Sequence, residues 1–253
     1  MMPILELDNL HYRYPGHGTP ALRGATLSLP TGARVALLGR NGCGKSTLLL
    51  HCNGILRPDS GIVRFEGRRL AYDRRSLREL RRRVGIVFQN PDDQLFSASV
   101  AQDISFGPLN LGLGERETRR RVQAAAEMCE IIELLERPTH ALSGGQKTRV
   151  ALAGVLAMDP VVVIADEVTT SLDPWMRRQV LAIFQRLVAE GKTVVVATHD
   201  VEIAHYWADL VVVMNEGRIV AADGSDCIFA DEALMAFVGP RDPWRLPPVG
   251  GRE

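Results

Sequence analysis

Apolar residues along this chain follow two rhythms. From Ile4 to Leu38 they come in short stretches broken at Pro15-Gly16 and Pro30-Thr31-Gly32, which predicts strands joined by turns. Residues 61–72 read as a hairpin and Val84 to Phe88 as a further strand. From about Val100 to Met158 the spacing changes: Val122, Ala125, Met128, Cys129, Ile132 and Leu135 recur at steps of three and four, predicting one helical face. Ser143 stands where a helix cap belongs, before a helix running to about Met158. Val161 to Ile164 and Thr193 to Ala197 are unalternated β-branched runs, suited to parallel strands buried on both faces. Arg178 to Ala189 supplies a helix between them, the makings of a right-handed β-α-β unit. Leu210 to Met214, Asn215-Glu216-Gly217 and Arg218 to Val220 read as a terminal hairpin, and the Pro/Gly-rich stretch 239–253 as a loosely held tail. There is no internal repeat. The fold class is α/β.

Composition narrows the setting. With 253 residues, 46% hydrophobic and 24% charged, the chain suits one large domain or two lobes on a shared core. Lys plus Arg and Asp plus Glu both number 30, so no overall charge draws it to nucleic acid or an anionic membrane. Cys43, Cys52, Cys129 and Cys227 lie far apart without metal-site spacing and read as reduced thiols. The start lacks the basic and apolar segments of a signal peptide. The longest apolar runs, such as Val161 to Ala165, fall far short of the roughly 20 residues that span a bilayer. Any membrane part must come from another chain.

Two segments carry the chemistry. Gly39-Arg40-Asn41-Gly42-Cys43-Gly44-Lys45-Ser46-Thr47 fits G-x-x-x-x-G-K-[ST], and it lies between a predicted strand, Arg34 to Leu38, and a predicted helix opening at Ser46. Successive N–H groups from Asn41 to Ser46 can wrap a triphosphate, glycine lets the backbone approach, and the helix directs its positive end at the phosphates. Lys45 is expected on the β- and γ-phosphates of ATP and Ser46 on Mg²⁺. Cys43 reads as a small filler in this loop, though its place at a helix N-terminus predicts a lowered thiol pKa and ready alkylation. The second segment, Leu142-Ser143-Gly144-Gly145-Gln146, fixes five consecutive positions and is much the more specific of the two.

Other candidates sit at strand ends. Asp166 closes a buried apolar run, where a carboxylate needs a partner such as Mg²⁺. Glu167 follows it, placed to reach the water attacking the γ-phosphate. His199 and Gln89 likewise follow strands, at the sheet edge where nucleotides bind. Tyr14, before Pro15, is preferred over Tyr12 to stack on adenine. Between Arg64 and Arg83 nine arginines face three acids, read as a solvated helix face rather than a nucleic-acid surface, since few aromatics are interleaved. His199, His205 and Asp209 have no recognised ligand spacing.

On these segments the chain resembles ABC-type ATPases over nearly its whole length. The resemblance assigns Tyr14 to the adenine loop, Gly39 to Thr47 to Walker A, and Gln89 to the Q-loop among the catalytic and metal-contacting residues. It assigns Ser143, Gly144, Gly145 and Gln146 to the nucleotide-covering signature, Val161 to Glu167 to Walker B, Leu172-Asp173 to the nucleotide-side D-loop, and His199 to the catalytic switch. Phe88 to Ser97, followed by Asp103 to Pro108, is similar to the ATPases of energy-coupling-factor importers of the cobalt and nickel group. Val168 departs from the proline common there, and Ser171 from alanine. The resemblance implies a P-loop core with a mixed sheet, a β-rich edge lobe and a helical lobe near 91–158, all within a nucleotide-binding domain spanning 1–238. It also implies a head-to-tail homodimer in which Ser143 and Gly145 of one subunit cover ATP at Lys45 of the other. Further implied partners are a transmembrane coupling protein and a substrate-capture membrane protein, at the cytoplasmic face of the membrane. Gln89 to Pro108, with Leu95, Phe96 and Phe106 beside Asp92, Asp93 and Asp103, is the expected docking segment. A vitamin importer, a soluble ABC ATPase and an inactive ATP sensor are the alternatives. One cassette without a long coiled-coil insertion, and intact Lys45, Asp166, Glu167 and His199, weigh against the last two.

Overall fold

A six-stranded sheet divides the computed structural model, which describes residues 3–170 and 172–238, into two packed layers. The chain first lays down β1 (Leu5–Tyr12) and β2 (Leu22–Leu29). Next come β3 (Arg34–Leu38), α1 (Lys45–Cys52), β4 (Ser60–Phe65), β5 (Arg68–Arg69), α2 (Arg74–Arg83) and β6 (Val84–Val87). Three helices follow, α3 (Val100–Asn110), α4 (Glu115–Met128) and α5 (Gly144–Leu156). The remainder is β7 (Val162–Asp166), α6 (Pro174–Ala189), β8 (Thr193–Thr198), α7 (Val201–Trp207), β9 (Leu210–Asn215), β10 (Arg218–Asp223), α8 (Ser225–Ala230) and α9 (Glu232–Val238). The large sheet runs β10-β9-β3-β8-β7-β6, parallel throughout except for β10. A second, antiparallel sheet has the order β2-β1-β4-β5.

The β-branched runs behave as their composition demands. Side chains alternate across a strand, so Val163, Ala165, Val194, Val196, Val211 and Val213 enter one apolar core with the helices. Their neighbours Val162, Ile164, Val195, Ala197, Val212 and Met214 enter the other, against α1 and the antiparallel sheet. Both faces are buried, so nothing selects for alternation in the sequence.

Parallel pairing brings four strand ends to one edge. Leu38 pairs with Thr198, Asp166 with Ala197, and Val87 with Ala165. The segments that follow, beginning at Gly39, His199, Glu167 and Phe88, therefore leave the sheet side by side.

Some expectations are corrected. The helical face through Val122 and Ala125 ends with α4 at Met128. Glu130 takes φ +53°, Ile132 opens a short 3-10 turn and is partly exposed, and α5 begins only at Gly144. The β9–β10 hairpin is present, with Glu216 and Gly217 both at positive φ as a tight hairpin turn requires. It is not terminal: β10 continues to Asp223 and α8 and α9 follow. The arginine-rich stretch forms α2, whose one buried side chain is Leu80. The proposed tail, 239–253, and Ser171 lie outside the described residues.

Candidate functional site

The loop after β3 is shaped by backbone crowding. A Cβ on Gly39 would stand 2.4 Å from the Met214 carbonyl oxygen and 2.6 Å from Cys43 Sγ. Gly44 adopts φ +110°, and a Cβ there would meet the Ala21 carbonyl oxygen at 2.7 Å. Asn41 and Gly42 form the exposed rim. α1 then starts with no side-chain cap and no acid in its first turn. By contrast α2, α3, α5, α6 and α7 are capped by Asp73, Ser99, Ser143, Asp173 and Asp200. An uncapped N-terminus behind a glycine loop is a site for an anion.

Lys45 is nearly fully buried, and its Nζ donates to the carbonyl oxygens of Gly39 (2.8 Å) and Arg40 (3.4 Å). It also pairs with Glu167 Oε1 at 3.1 Å, while Glu167 Oε2 lies 3.4 Å from His199 Nδ1. Glu167 sits at φ +49°, with its N–H donating to the Ala197 carbonyl at 3.0 Å. This bend turns the carboxylate from the end of β7 toward the loop. Asp166 is 6% exposed and its Oδ1 has no hydrogen-bond partner. Burial pushes its carboxyl above the usual range, opposed by the Ser46 hydroxyl that donates to it. A buried carboxylate oxygen beside a hydroxyl is a donor set that suits Mg²⁺.

Thr47 is buried at the loop's end, and its Oγ1 lies 3.2 Å from the Tyr14 hydroxyl. Tyr12, the competing candidate, packs edge-on against Tyr14 and against His51. Gln89 is exposed; with Gly144, Glu167 and Thr170 it lines a cleft of about 420 Å³. Asp173 is engaged as the cap of α6, its Oδ1 accepting from the Met176 N–H at 2.9 Å. Ser143 and Gln146 close a reciprocal capping box on α5. Ser143 and Gly144 are exposed and Gly145 half-buried.

Two readings change. Cys43 is buried, and burial pushes its thiol above its ordinary value despite nearby Lys45. Burial thus opposes the activation expected of a thiol at a helix N-terminus. Asp103 is buried, and its Oδ2 accepts from the N–H groups of Phe96 (3.0 Å) and Ser97 (2.7 Å), so it is no surface acid. Asp209 is engaged by Arg34, and His205 packs on Tyr206 and Phe229. One residue that sequence reasoning passed over is His51, fully buried and bonded to the Thr47 carbonyl at 2.7 Å. The signal was a histidine four positions after Thr47, directly after the apolar run Leu48 to Leu50.

Comparison with known proteins agrees with this geometry. Residues 22–170 match the ABC transporter family model. The chain belongs to the ABC transporter ATPases. It is 49% identical over 243 residues to a cobalt import ATP-binding protein, CbiO, of Rhodobacter capsulatus, covering 96% of this chain and 86% of that protein. It is 45% identical over 244 residues to the energy-coupling factor transporter ATP-binding protein EcfA of Methanosphaera stadtmanae, covering 96% and 87%. Among solved structures, cbiO1 of Clostridium perfringens, part of a cbiONQ transporter complex, has a TM-score of 0.83 and 44% identity, covering 93% of this chain and 94% of that one. A dimeric ATP-binding cassette in a post-hydrolysis state with ADP and Pi has a TM-score of 0.80 and 27% identity, covering 87% and 98%. This ABC ATPase is thus of the energy-coupling-factor type. Its departure at Val168 is a buried apolar side chain that belongs to the helix-side core.

Proposed function

We propose that the chain is the ATP-hydrolysing subunit of an energy-coupling-factor importer for cobalt or nickel. It would work as a homodimer on the cytoplasmic face of the membrane with a transmembrane coupling protein and a substrate-capture membrane protein. What carries this reading is the match, over 96% of the chain, to proteins named for energy-coupling-factor and cobalt import. Among the described residues no helix is long and apolar enough to cross a membrane, which agrees with a membrane path supplied by other chains.

In this reading Lys45 and the N-terminus of α1 hold the β- and γ-phosphates, and Tyr14 offers its ring to adenine. Asp166, Ser46 and Gln89 would hold Mg²⁺, which when bound neutralises charge on the phosphate oxygens. Glu167 takes the proton of the attacking water, and His199, bridged to the same carboxylate, orients it. Gly39, Asn41, Gly42, Cys43, Gly44 and Thr47 form the cradle. Ser143, Gly144, Gly145 and Gln146, together with Asp173, act on the nucleotide of the partner subunit. The outward exposure of Ser143 and Gly144, and a dimeric structural neighbour, support that arrangement.

Docking falls to the segment after Gln89. Phe96 (65% exposed) and Phe106 (49% exposed) pack edge-on at 4.7 Å, with exposed Leu109 on the same helix as Phe106. A contiguous exposed aromatic patch of this kind marks an interaction site. Asp92 beside it is tied to Lys147 at 2.6 Å, which leaves Asp93 the freer acid. The double variant Phe96→Asp/Phe106→Asp should keep ATP binding by the isolated subunit and lose co-purification with the membrane proteins. Normal co-purification would place the docking site elsewhere. Metal uptake by cells making the complex, tested with cobalt, nickel and a vitamin in turn, decides the substrate.

A further inference from the structure

His51, Tyr12, Tyr14 and Thr47 form a closed ring of contacts beneath the nucleotide loop. His51 Nδ1 lies 2.7 Å from the carbonyl oxygen of Thr47, so it is the Nδ1–H that donates. The His51 and Tyr12 rings meet edge to face, with centroids 4.9 Å apart and planes at 74°. Tyr12 and Tyr14 repeat the arrangement at 5.0 Å and 83°. The Tyr14 hydroxyl returns to Thr47 through its Oγ1 at 3.2 Å. Every link has a preferred geometry: aromatic pairs favour such T-shaped contacts, and a hydrogen bond fixes each end.

The strands alone do not hold Tyr14 in place. β1 ends at Tyr12, so Tyr14 lies beyond the sheet, before the exposed turn at Pro15. His51 is by contrast wholly buried in α1, between the two sheets. Burial lowers its pKa, and one ring nitrogen, Nε2, has no hydrogen-bond partner. His51 offers a rigid, hydrogen-bonded ring edge.

We propose that His51 is a positioning residue that sets the orientation of the Tyr14 ring, through Tyr12 and Thr47, and so tunes the affinity for the adenine base without taking part in hydrolysis. The proposal rests on the reading of Tyr14 as the adenine-stacking residue. Thr47 makes the link economical. The residue closing the phosphate loop also anchors the aromatic relay, so the phosphate and base subsites are set to each other by one side chain and one carbonyl.

Steady-state ATPase assays on the full chain test this. His51→Leu removes both ring and hydrogen bond. A T-shaped aromatic contact contributes about 0.5–1.5 kcal/mol, so KM for ATP should rise roughly 2- to 10-fold. Inhibition by inorganic tripolyphosphate, which has no base, should be unaltered, and kcat should stay within about twofold. Tyr14→Ala should raise KM similarly, and the double variant should add little beyond Tyr14→Ala. If His51→Leu lowers Tm but leaves KM for ATP unmoved while Tyr14→Ala raises it, His51 is merely structural and the proposal falls. Weakened tripolyphosphate inhibition in step with KM would overturn it too, because the effect would then run through the phosphate loop. An unchanged KM in Tyr14→Ala would end the adenine reading and the proposal together. Should His51→Leu not fold, Tyr12→Leu cuts the same relay at its middle and is held to the same outcomes.

Discussion

The ammonium of Lys45 is shared between two loop carbonyls and Glu167, and both charged side chains are buried. Breaking such a pair from one side leaves a buried charge alone, at a cost of about 3–5 kcal/mol. Lys45→Ala should therefore lower Tm as well as lose ATP binding. Adding Glu167→Gln should restore most of the Tm and none of the binding, which calorimetry with and without Mg·ATP would separate. Glu167→Gln alone keeps an amide oxygen for Lys45 but has no base. Hydrolysis should fall by about 10²–10⁴, with ATP binding retained and an ATP-dependent dimer persisting on size exclusion. A wild-type rate would remove Glu167 from its role. The cysteines give a second residue-level test. Cys43, Cys52 and Cys129 are buried, the last two with thiols pushed up to about 12, while Cys227 is exposed. Thiol titration of the native chain should find one fast group, and Cys227→Ser should abolish it. A second fast thiol blocked by ATP would reinstate Cys43.

At the scale of elements, the D-loop and α6 share a residue. Asp173 is proposed to act on the nucleotide side, and its carboxylate caps α6. Asp173→Ala should cost about 0.5–2 kcal/mol in stability. Asp173→Ser, which keeps a capping oxygen, should recover most of that in chemical denaturation. Any activity loss that persists in the serine variant is then the D-loop's own. Local chemistry of this sort is what made elements legible in the chain. Ser143 with Gln146 announces a capping box, Asn215-Glu216-Gly217 announces a tight hairpin, and the β-branched runs announce buried parallel strands. The end of α4 was not legible, because Ile132 and Leu135 keep the helical spacing past the point where the chain turns at Glu130. In the site, strand ends revealed Asp166, Glu167, Gln89 and His199 one at a time. The Lys45–Glu167–His199 contacts depend on strand order, which spacing does not encode. For Cys43, position at a helix N-terminus says nothing about burial, and burial opposes the activation that position predicts. Asp103 misled in the same way, reading as a surface acid when it is turned inward onto two backbone N–H groups.

Across the whole molecule, one sheet serves two cores, and the strand feeding the phosphate loop lies within it. β3 is flanked by β8 and β9, with Val35 to Leu38 all buried. The antiparallel edges are thinner: β5 has two residues, both exposed, and every position of β10 is exposed or half-buried. Opening a central strand exposes both cores, whereas an edge strand frays locally. In deuterium, the amides of Val35 to Leu38 should therefore exchange only as fast as the entire chain unfolds. Those of Arg68, Arg69 and Ala221 should be replaced by a far quicker route. Mass spectrometry of peptic fragments would reveal the contrast, and equal protection would contradict it. The phosphate cradle thus hangs from the last part of the chain to come apart, and its position in the sheet adds fixity to the bonds that Lys45 makes to Gly39 and Arg40.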